Sequence, residues 1–157
     1  MAGMADRTGW MSREEREAFL AGVHVGVLGV DDPGRGPLTV PVWYAYEPGG
    51  TVNVITDSES RKARRLREAG RCSLCAQSEE PPYRYVSVEG PVTVVEHTVD
   101  PDERRGMAHR YLGSEIGDLY LTATAADAAH SVVFRMSPEH WRTTDFAKQF
   151  GEAPPAS

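Results

Sequence analysis

Several features that would direct a chain into a membrane or out of the cell are missing from these 157 residues. No apolar run approaches the roughly 20 residues that a membrane-spanning helix needs. The N-terminal stretch MAGMADRTGWMSREERE has no apolar segment behind a basic start, so it does not predict a secretory signal. Two cysteines cannot form a disulfide framework. We therefore expect a cytoplasmic protein with no membrane partner.

The sequence also lacks the motifs of several functional classes. A formal net charge of -6 disfavours wrapping by nucleic acid, which requires a basic surface. The five histidines are scattered without ligand spacing, so no metal site is predicted. There is no Gly-x-Ser-x-Gly motif and no Walker or Rossmann glycine loop. Cys72 and Cys75 have Cys-x-x-Cys spacing, but they lie in a strand-like segment where residues three apart face opposite sides, and we interpret them as structural.

What the sequence does contain is a series of short β-branched segments separated by turns rich in glycine and proline. This pattern predicts six or seven strands with two or three small helices, mainly β in class, arranged as a closed or nearly closed antiparallel β-barrel with peripheral helices. A barrel this small fills its interior with side chains, so a ligand must bind outside it or at a subunit interface. We expect a domain over residues 12–146, after an N-terminal extension (1–11) and before a disordered tail (147–157).

Two segments carry more specific expectations. Gly90 and Pro91 predict a bulge or bend within a long strand. A helix is predicted to begin at Asp100 and Pro101 and to end at Gly113, and the alanine-rich residues 114–130 are interpreted as loop and short helix.

The stretch TDSESRKARRLREAG, residues 56–70, concentrates positive charge. Five of the 17 basic residues fall within seven positions, on a helix for which Ser58 is the predicted N-cap. Cations in a first helical turn oppose the helix dipole unless an anion offsets them, and hydroxyl groups precede this helix. A solvated charged face and a phosphate site both remain open. The candidate phosphate ligands are Thr56, Ser58, Ser60, Arg61, Lys62 and Arg65.

The aromatic residues fall into three groups along the chain. Trp43 and Tyr44 come late in the second strand, Tyr83 and Tyr85 open the long strand, and Trp141 lies in the last strand. Each one alone is more typical of a core or dimer contact than of a ligand platform. Around a phosphate site, however, they could together flank a planar ring.

The segments VPVWYAYEPGGTVNVITDSESRKARRLREAGRCSLCAQ and PPYRYVSVEGPV resemble the pyridoxamine 5'-phosphate oxidase-like family of flavin-binding split β-barrels. The likeness extends from about Met11 to Phe146, and its most specific part is the SRKARRLRE helix followed by a strand and VSVEGPV. The second segment is most similar to small members that use the deazaflavin coenzyme F420 rather than FMN. The resemblance implies a homodimer with two equivalent cofactor sites at the subunit interface and a small-molecule substrate.

The resemblance also assigns residues to the cofactor. It implies that the second strand lies along the flavin or deazaflavin ring through Val40, Pro41, Val42 and Trp43. It implies that the phosphate is held by Thr56, Ser58, Ser60, Arg61 and Lys62, to which Arg65 is added. Tyr83 and Tyr85 would approach the site of the same or the neighbouring subunit. The catalytic residue is unknown, and the proton could come from solvent or from Tyr85.

Two departures from the family pattern argue against vitamin B6 oxidation. Oxidases of that type have a glutamine where this chain has Tyr85, and they end with an Arg-Leu-His-Asp-Arg segment that this chain lacks. We expect instead an oxidoreductase that uses F420 to transfer hydride to a quinone, enone or tetrapyrrole-like acceptor. An FMN-dependent oxidoreductase of the same fold and a non-catalytic flavin- or haem-binding module are the alternatives. The acidic tail of F420 would need extra basic surface, for which Arg13, Arg16 and Arg35 are candidates.

Overall fold

A computed structural model describes residues 9–150. Its strands are β1 (Gly26–Val30), β2 (Leu38–Val42), β3 (Val52–Asp57), β4 (Arg71–Gln77), β5 (Arg84–Val95), β6 (Ser131–Met136) and β7 (His140–Asp145). Its helices are α1 (Arg13–Ala21), α2 (Arg61–Ala69), α3 (Pro101–Ala123) and α4 (Phe146–Phe150), with a 3-10 helix at Ala125–His130.

The strands form one curled antiparallel sheet in the order β2-β1-β4-β5-β6-β3, and β7 also pairs with β5. Two backbone hydrogen bonds between Ala45 and Asn53, of 2.9 and 3.0 Å, join the two ends of this order. The sheet therefore nearly closes on itself. The predicted antiparallel split β-barrel with peripheral helices is confirmed.

The strand β5 is long because it belongs to both halves of the sheet. Its residues 84–89 pair with β7, and its residues 92–95 pair with β6. The change of partner falls at Gly90 and Pro91, where the sequence predicts a bulge or bend. A Cβ atom at Gly90 would lie 1.8 Å from the carbonyl oxygen of Ser137 in the turn between β6 and β7. Only glycine fits at this close approach.

The interior of the barrel is filled by alternate side chains of the strands. Leu74, Val86 and Val88 are almost completely buried, and each such side chain contributes about 1.5–3 kcal/mol to folding. Tyr44 is also buried, and its hydroxyl donates a hydrogen bond of 2.7 Å to the carbonyl oxygen of Leu20. The void among the core side chains is about 10 Å³, close to the space of one water molecule. A ligand therefore has to bind outside the barrel.

The helix α2 begins two residues later than predicted. Ser60 is the N-cap rather than Ser58, because the Ser60 hydroxyl accepts a hydrogen bond of 3.2 Å from the N–H of Ala63. Ala63 and Leu66 are buried, as the helical periodicity predicts. Gly70 ends the helix in a left-handed conformation, with φ at 67°.

The helix α3 is a helical hairpin. Gly113 interrupts it with φ at 77° and ψ at 172°, and the second arm packs back on the first. His109 Nε2 lies 2.6 Å from Asp118 Oδ1, and Arg104 Nη2 donates to the carbonyl and hydroxyl oxygens of Thr124 at 2.9 and 2.6 Å. The predicted end at Gly113 is correct for the first arm. Of the loop and short helix predicted over residues 114–130, the helix is present and the loop is wrong, because residues 114–123 are a helical arm, which we call the second arm of the α3 hairpin, and a 3-10 helix follows it.

The two ends of the described region pack against β7. Gly9 accepts a backbone hydrogen bond of 2.7 Å from Asp145, and Met11 is buried. Residues 147–150, assigned by the sequence to a disordered tail, are helical, because Asp145 accepts a hydrogen bond of 2.9 Å from the N–H of Ala147 and the rings of Phe146 and Phe150 stack. The rest of the predicted extension and tail, residues 1–8 and 151–157, lies outside the described residues. Within residues 9–150 no helix is both long and apolar enough to cross a bilayer.

Candidate cofactor-binding site

A cavity of about 320 Å³ lies between the α3 hairpin on one side and β3 and β6 on the other. Trp43 and Thr56, two of the predicted site residues, form part of its wall. The hairpin contributes Arg104 and Tyr120, and two carboxylates, Asp57 and Asp127, complete its polar lining together with hydroxyl groups. The fold thus brings the end of β2 and the turn before α2 to one cavity.

Aromatic rings form one wall of the cavity. Trp43 stacks on Tyr111 of the first hairpin arm, with ring centres 5.0 Å apart and planes at 5°. Tyr120 of the second arm meets Trp43 at 5.4 Å in a tilted arrangement. The Tyr111 hydroxyl accepts from the N–H of Tyr44 at 3.0 Å and donates to the carbonyl oxygen of His24 at 2.7 Å. These two hydrogen bonds fix Tyr111, which in turn holds the Trp43 ring in place.

Successive side chains of β2 point to opposite faces of the sheet, so the four residues predicted to contact the cofactor ring lie on two different faces. Val42 is buried, and Val40 packs against the same core. Pro41 and Trp43 point to the other face, where Pro41 is exposed. Because β2 ends the sheet order, one of its edges has free backbone groups. Val40 and Val42 direct their side chains to the core, whereas Pro41 and Trp43 can offer side chains to a ring.

The turn before α2 presents hydrogen-bond donors. Thr56 is buried, and its Oγ1 lies 3.4 Å from the Oγ of Ser60. The Ser60 hydroxyl caps the helix and also donates to the carbonyl oxygen of Asp57 at 2.8 Å. The N–H groups of Arg61 and Lys62, in the first helical turn, have no acceptor within the described part of the chain. Free N–H groups at a helix start attract anions.

Lys62 stands beside this turn as a half-buried amine. It has no hydrogen bond or ion pair with any residue from 9 to 150. Burial lowers its pKa, and the charge of Asp57 works in the opposite direction. A partly desolvated ammonium group without a partner is unfavourable, so an anion placed here would gain a donor that the protein itself does not use.

Arg61 and Arg65 lie on another face of α2 and bind the loop between β1 and β2. The Arg61 Nη2 atom is 2.6 Å from Asp32 Oδ2, and the Arg65 Nε atom is 3.6 Å from Asp32 Oδ1. Arg65 also donates to the carbonyl oxygen of Asp31 at 3.1 Å and pairs with Glu68. The hydrogen bond from Arg61 is the main reason why the pKa of Asp32 is lowered. Both arginines are therefore already engaged by carboxylates.

Of the predicted site residues, Trp43 and Thr56 line the cavity, whereas Ser58 and Tyr85, like Ser60, Arg61 and Lys62, are not among its lining groups. The Ser58 hydroxyl accepts from Arg67 at 3.1 Å and is not one of the groups that line the cavity. Tyr85 lies with Tyr83 in an exposed groove near the start of β5. About 33 Å of extended strand separates Tyr85 from Val95, which pairs with β6 next to β3. Along the sheet, Tyr85 is thus remote from the cavity of its own protomer.

The two cysteines lie on opposite faces of β4. Cys72 is buried and Cys75 is partly exposed. Burial raises the pKa of Cys72 to about 12 and also raises that of Cys75, so neither thiol is activated. Among the described residues, no group of three or more histidine, cysteine or acidic side chains could hold a metal ion.

Sequence reasoning missed the residues that the α3 hairpin brings to the cavity. Tyr111 and Arg104 lie in a helix to which the sequence assigns no role in the site, Tyr120 lies in the segment 114–130 that the sequence relates only to substrate specificity, and Asp32 lies in a turn. The available signal was the helical composition of SEIGDLYLTA immediately after Gly113. A glycine followed by a second helical stretch is typical of a hairpin that folds back on itself.

The cavity, together with the start of α2 that follows Thr56 in the chain, suits a planar ring that carries a phosphate. The stacked wall of Trp43 suits the flat face of a ring. The Thr56 hydroxyl, the Lys62 amine and two free N–H groups suit an anion. The Asp57 carboxylate opposes an anion and limits how close it can lie.

The family described as pyridoxamine 5'-phosphate oxidase matches residues 12–145. The match covers most of the chain, so the protein belongs to this family, as the sequence resemblance implied. Solved structures that share the split β-barrel fold include proteins described as an F420 reductase and an FAD-binding protein.

Three solved structures illustrate the likeness. A conserved hypothetical protein from Mycobacterium tuberculosis is 24% identical, with a TM-score of 0.74 over 96% of this chain and 93% of that one. An F420 reductase is 20% identical, with a TM-score of 0.58 over 80% of this chain and 94% of that one. An FAD-binding protein from Mesorhizobium loti is 21% identical, with a TM-score of 0.58 over 85% and 92%. At these identities the likeness establishes the fold. No curated protein sequence matches significantly.

Proposed function

We propose that the protein is an oxidoreductase that binds coenzyme F420 beside Trp43 and the start of α2 and transfers hydride to a conjugated small molecule such as a quinone, an enone or a tetrapyrrole-like compound. The observation that carries the proposal is a cavity lined by the stacked Trp43 and by Thr56, which is followed four residues later by the N-cap of α2, where free N–H groups and the Lys62 amine have no hydrogen-bond partner within residues 9–150. Family membership supports it, as does the fold shared with an F420 reductase. We also propose that the protein acts in the cytoplasm.

In this proposal the chain binds and orients the cofactor. Lys62, Thr56 and the N–H groups of the first turn of α2 would hold the phosphate, and Trp43 would flank the ring. Two charge-assisted contacts of about 1.5–3 kcal/mol each would supply much of the roughly -8 kcal/mol of a micromolar affinity. The hydrogen-bonded Tyr111 would keep the Trp43 wall rigid, so that the ring is held in one orientation. When bound, the deazaflavin ring supplies the hydride.

We infer that a second copy of the chain completes the site. The outer face of the sheet is apolar across three neighbouring strands, since Val27 of β1 lies opposite Pro41 of β2 and Cys75 of β4. Val25 and Val27 are 56% and 43% exposed there. An apolar patch of this kind is typical of an interface. In such a homodimer Tyr85 of one protomer is the candidate proton donor for the site of the other. Light scattering should give the mass of a dimer, and Val27→Asp should give a monomer.

FMN is the second candidate cofactor. Arg61 and Arg65 are engaged by Asp32, and Arg13 and Arg16 line a separate groove near Trp141. Of the three arginines considered for the acidic tail of F420, Arg35 lies in the loop between β1 and β2 and acts on Asp32, the partner of Arg61. Arg13, Arg16, Arg61 and Arg65 therefore offer the acidic tail little free positive charge at this site, which favours a cofactor without that tail.

Titration of the purified protein with F420, FMN and riboflavin, followed by ring fluorescence, tests the proposal. We expect micromolar affinity for F420 and much weaker binding of riboflavin, which lacks the phosphate. Tight FMN binding with weak F420 binding would favour the second candidate, and failure to bind all three would refute both. Turnover of the reduced cofactor with a panel of acceptors then separates an enzyme from a non-catalytic binding module.

A further inference from the structure

Asp32 is a carboxylate built into the loop between β1 and β2 at the start of α2. Its two oxygens reach two arginines one helical turn apart, Arg61 at 2.6 Å and Arg65 at 3.6 Å. The side chain is only 11% exposed although the loop is at the surface. It therefore occupies the guanidinium groups that the sequence assigns to an anion.

We propose that Asp32 competes with incoming anions for Arg61 and thereby sets the affinity and charge selectivity of the cofactor site. A carboxylate makes the same type of contact with a guanidinium group as a phosphate oxygen does, so the two anions exclude one another from it. The inference rests on the proposed function only where it names the anion as the phosphate or the acidic tail of the cofactor. The competition itself applies to any anion at this helix start.

Arg61 is the arginine that an anion can take over. Its side chain is 49% exposed, and its only contact with a carboxylate in the described region is with Asp32. Arg65 is more deeply buried and is held at the same time by Glu68 and by the carbonyl oxygen of Asp31. An ion pair with one exposed partner is screened by water and stabilises the fold little. A more highly charged anion supported by the free N–H groups of α2 can therefore displace Asp32 from Arg61.

The neighbouring residue provides a matched control. Asp31 carries the same charge in the same loop, but among the hydrogen bonds and ion pairs of residues 9–150 it takes part only through its carbonyl oxygen, which accepts from Arg65. The backbone hydrogen bond of 2.9 Å from the N–H of Arg35 to the carbonyl oxygen of Asp32 does not depend on the Asp32 side chain. Asp32→Asn and Asp31→Asn thus change the net charge equally, and only the first frees Arg61.

The experiment compares wild type with Asp32→Asn, Asp31→Asn, Arg61→Ala and the double variant Asp32→Asn/Arg61→Ala. Inorganic pyrophosphate is titrated by thermal shift, and FMN, riboflavin and F420 are titrated by fluorescence. We expect Asp32→Asn to bind pyrophosphate and the phosphate-bearing cofactors about fivefold more tightly than Asp31→Asn does, with riboflavin unchanged. The gain should disappear in the Arg61→Ala background, because the two residues act through one contact. Asp32→Ser repeats the test should Asp32→Asn fail to fold.

The pattern of the results identifies the anion. Equal gains for FMN and F420 indicate competition with phosphate, whereas a gain for F420 alone indicates competition with the carboxylates of its tail. The inference is overturned when Asp32→Asn binds pyrophosphate and every cofactor no more tightly than Asp31→Asn, or when the gain persists without Arg61. A pyrophosphate gain in a protein that binds no flavin or deazaflavin would instead refute the proposed function and leave the competition standing.

Discussion

Replacing Lys62 by methionine tests the phosphate site most directly. Methionine keeps much of the side-chain length and removes the charge, and no hydrogen bond or ion pair within the described residues is lost with it, only the electrostatic attraction to Asp57. The free energy of unfolding should therefore change by no more than about 0.5 kcal/mol. A charge-assisted hydrogen bond to a phosphate is worth about 1.5–3 kcal/mol, so affinity for a phosphate-bearing cofactor should fall roughly 10- to 150-fold.

The assay is a fluorescence titration with FMN and riboflavin run in parallel on both proteins. Because riboflavin lacks the phosphate, its affinity should be the same for wild type and Lys62→Met. The other lysine of the chain supplies the control: Lys148→Met removes a 2.6 Å ion pair with Glu15 but should leave both affinities unchanged. Equal loss of FMN and riboflavin binding in Lys62→Met, or no loss of either, would refute the assignment of Lys62 to the phosphate.

Three further predictions concern the fold. Gly90→Ala should destabilise the protein by at least about 1–3 kcal/mol in urea unfolding. The control Gly29→Ala should change stability by less than about 1 kcal/mol, because the nearest neighbour of its new Cβ would be 4.0 Å away. Similar unfolding midpoints for the two variants would contradict the close approach at Gly90. Tyr44→Phe should lower the free energy of unfolding by about 1 kcal/mol at pH 7, because the hydrogen bond to Leu20 is lost. Burial raises the pKa of Tyr44, so the wild type should lose stability as the pH rises above about 10, and the variant should lose less. At pH 8 a thiol reagent should modify Cys72 of the folded protein more slowly than Cys75, because burial raises the pKa of Cys72 to about 12. Equal rates would show that burial does not protect Cys72.

The fold could be predicted from the sequence because its signals are local. Alternating β-branched residues, the turn glycines and the Gly90-Pro91 pair each restrict the backbone over a few positions, and their combined pattern left few alternatives to a barrel. The cap of α2 was placed two residues early, since three candidate hydroxyl residues precede that helix within five positions and only the geometry selects Ser60.

The candidate site could be predicted only in part, because several of its contacts join residues that are distant in the sequence. The hydroxyl turn and Lys62 lie within one short stretch and were assigned together. The link from Arg61 to Asp32 spans 29 positions, and it depends on how the loop between β1 and β2 lies against α2. The packing of Tyr111 on Trp43 depends on the hairpin formed at Gly113, which no local pattern placed against β2.

The position of β5 has a consequence for how the molecule opens. Its first half connects β4 to β7 and its second half is bound by β6, so the same backbone is part of both halves of the barrel. Neither half can detach without breaking the ladder that supports the other. Amide protons on both sides should therefore exchange with solvent at one common, slow rate, as in a single cooperative unit.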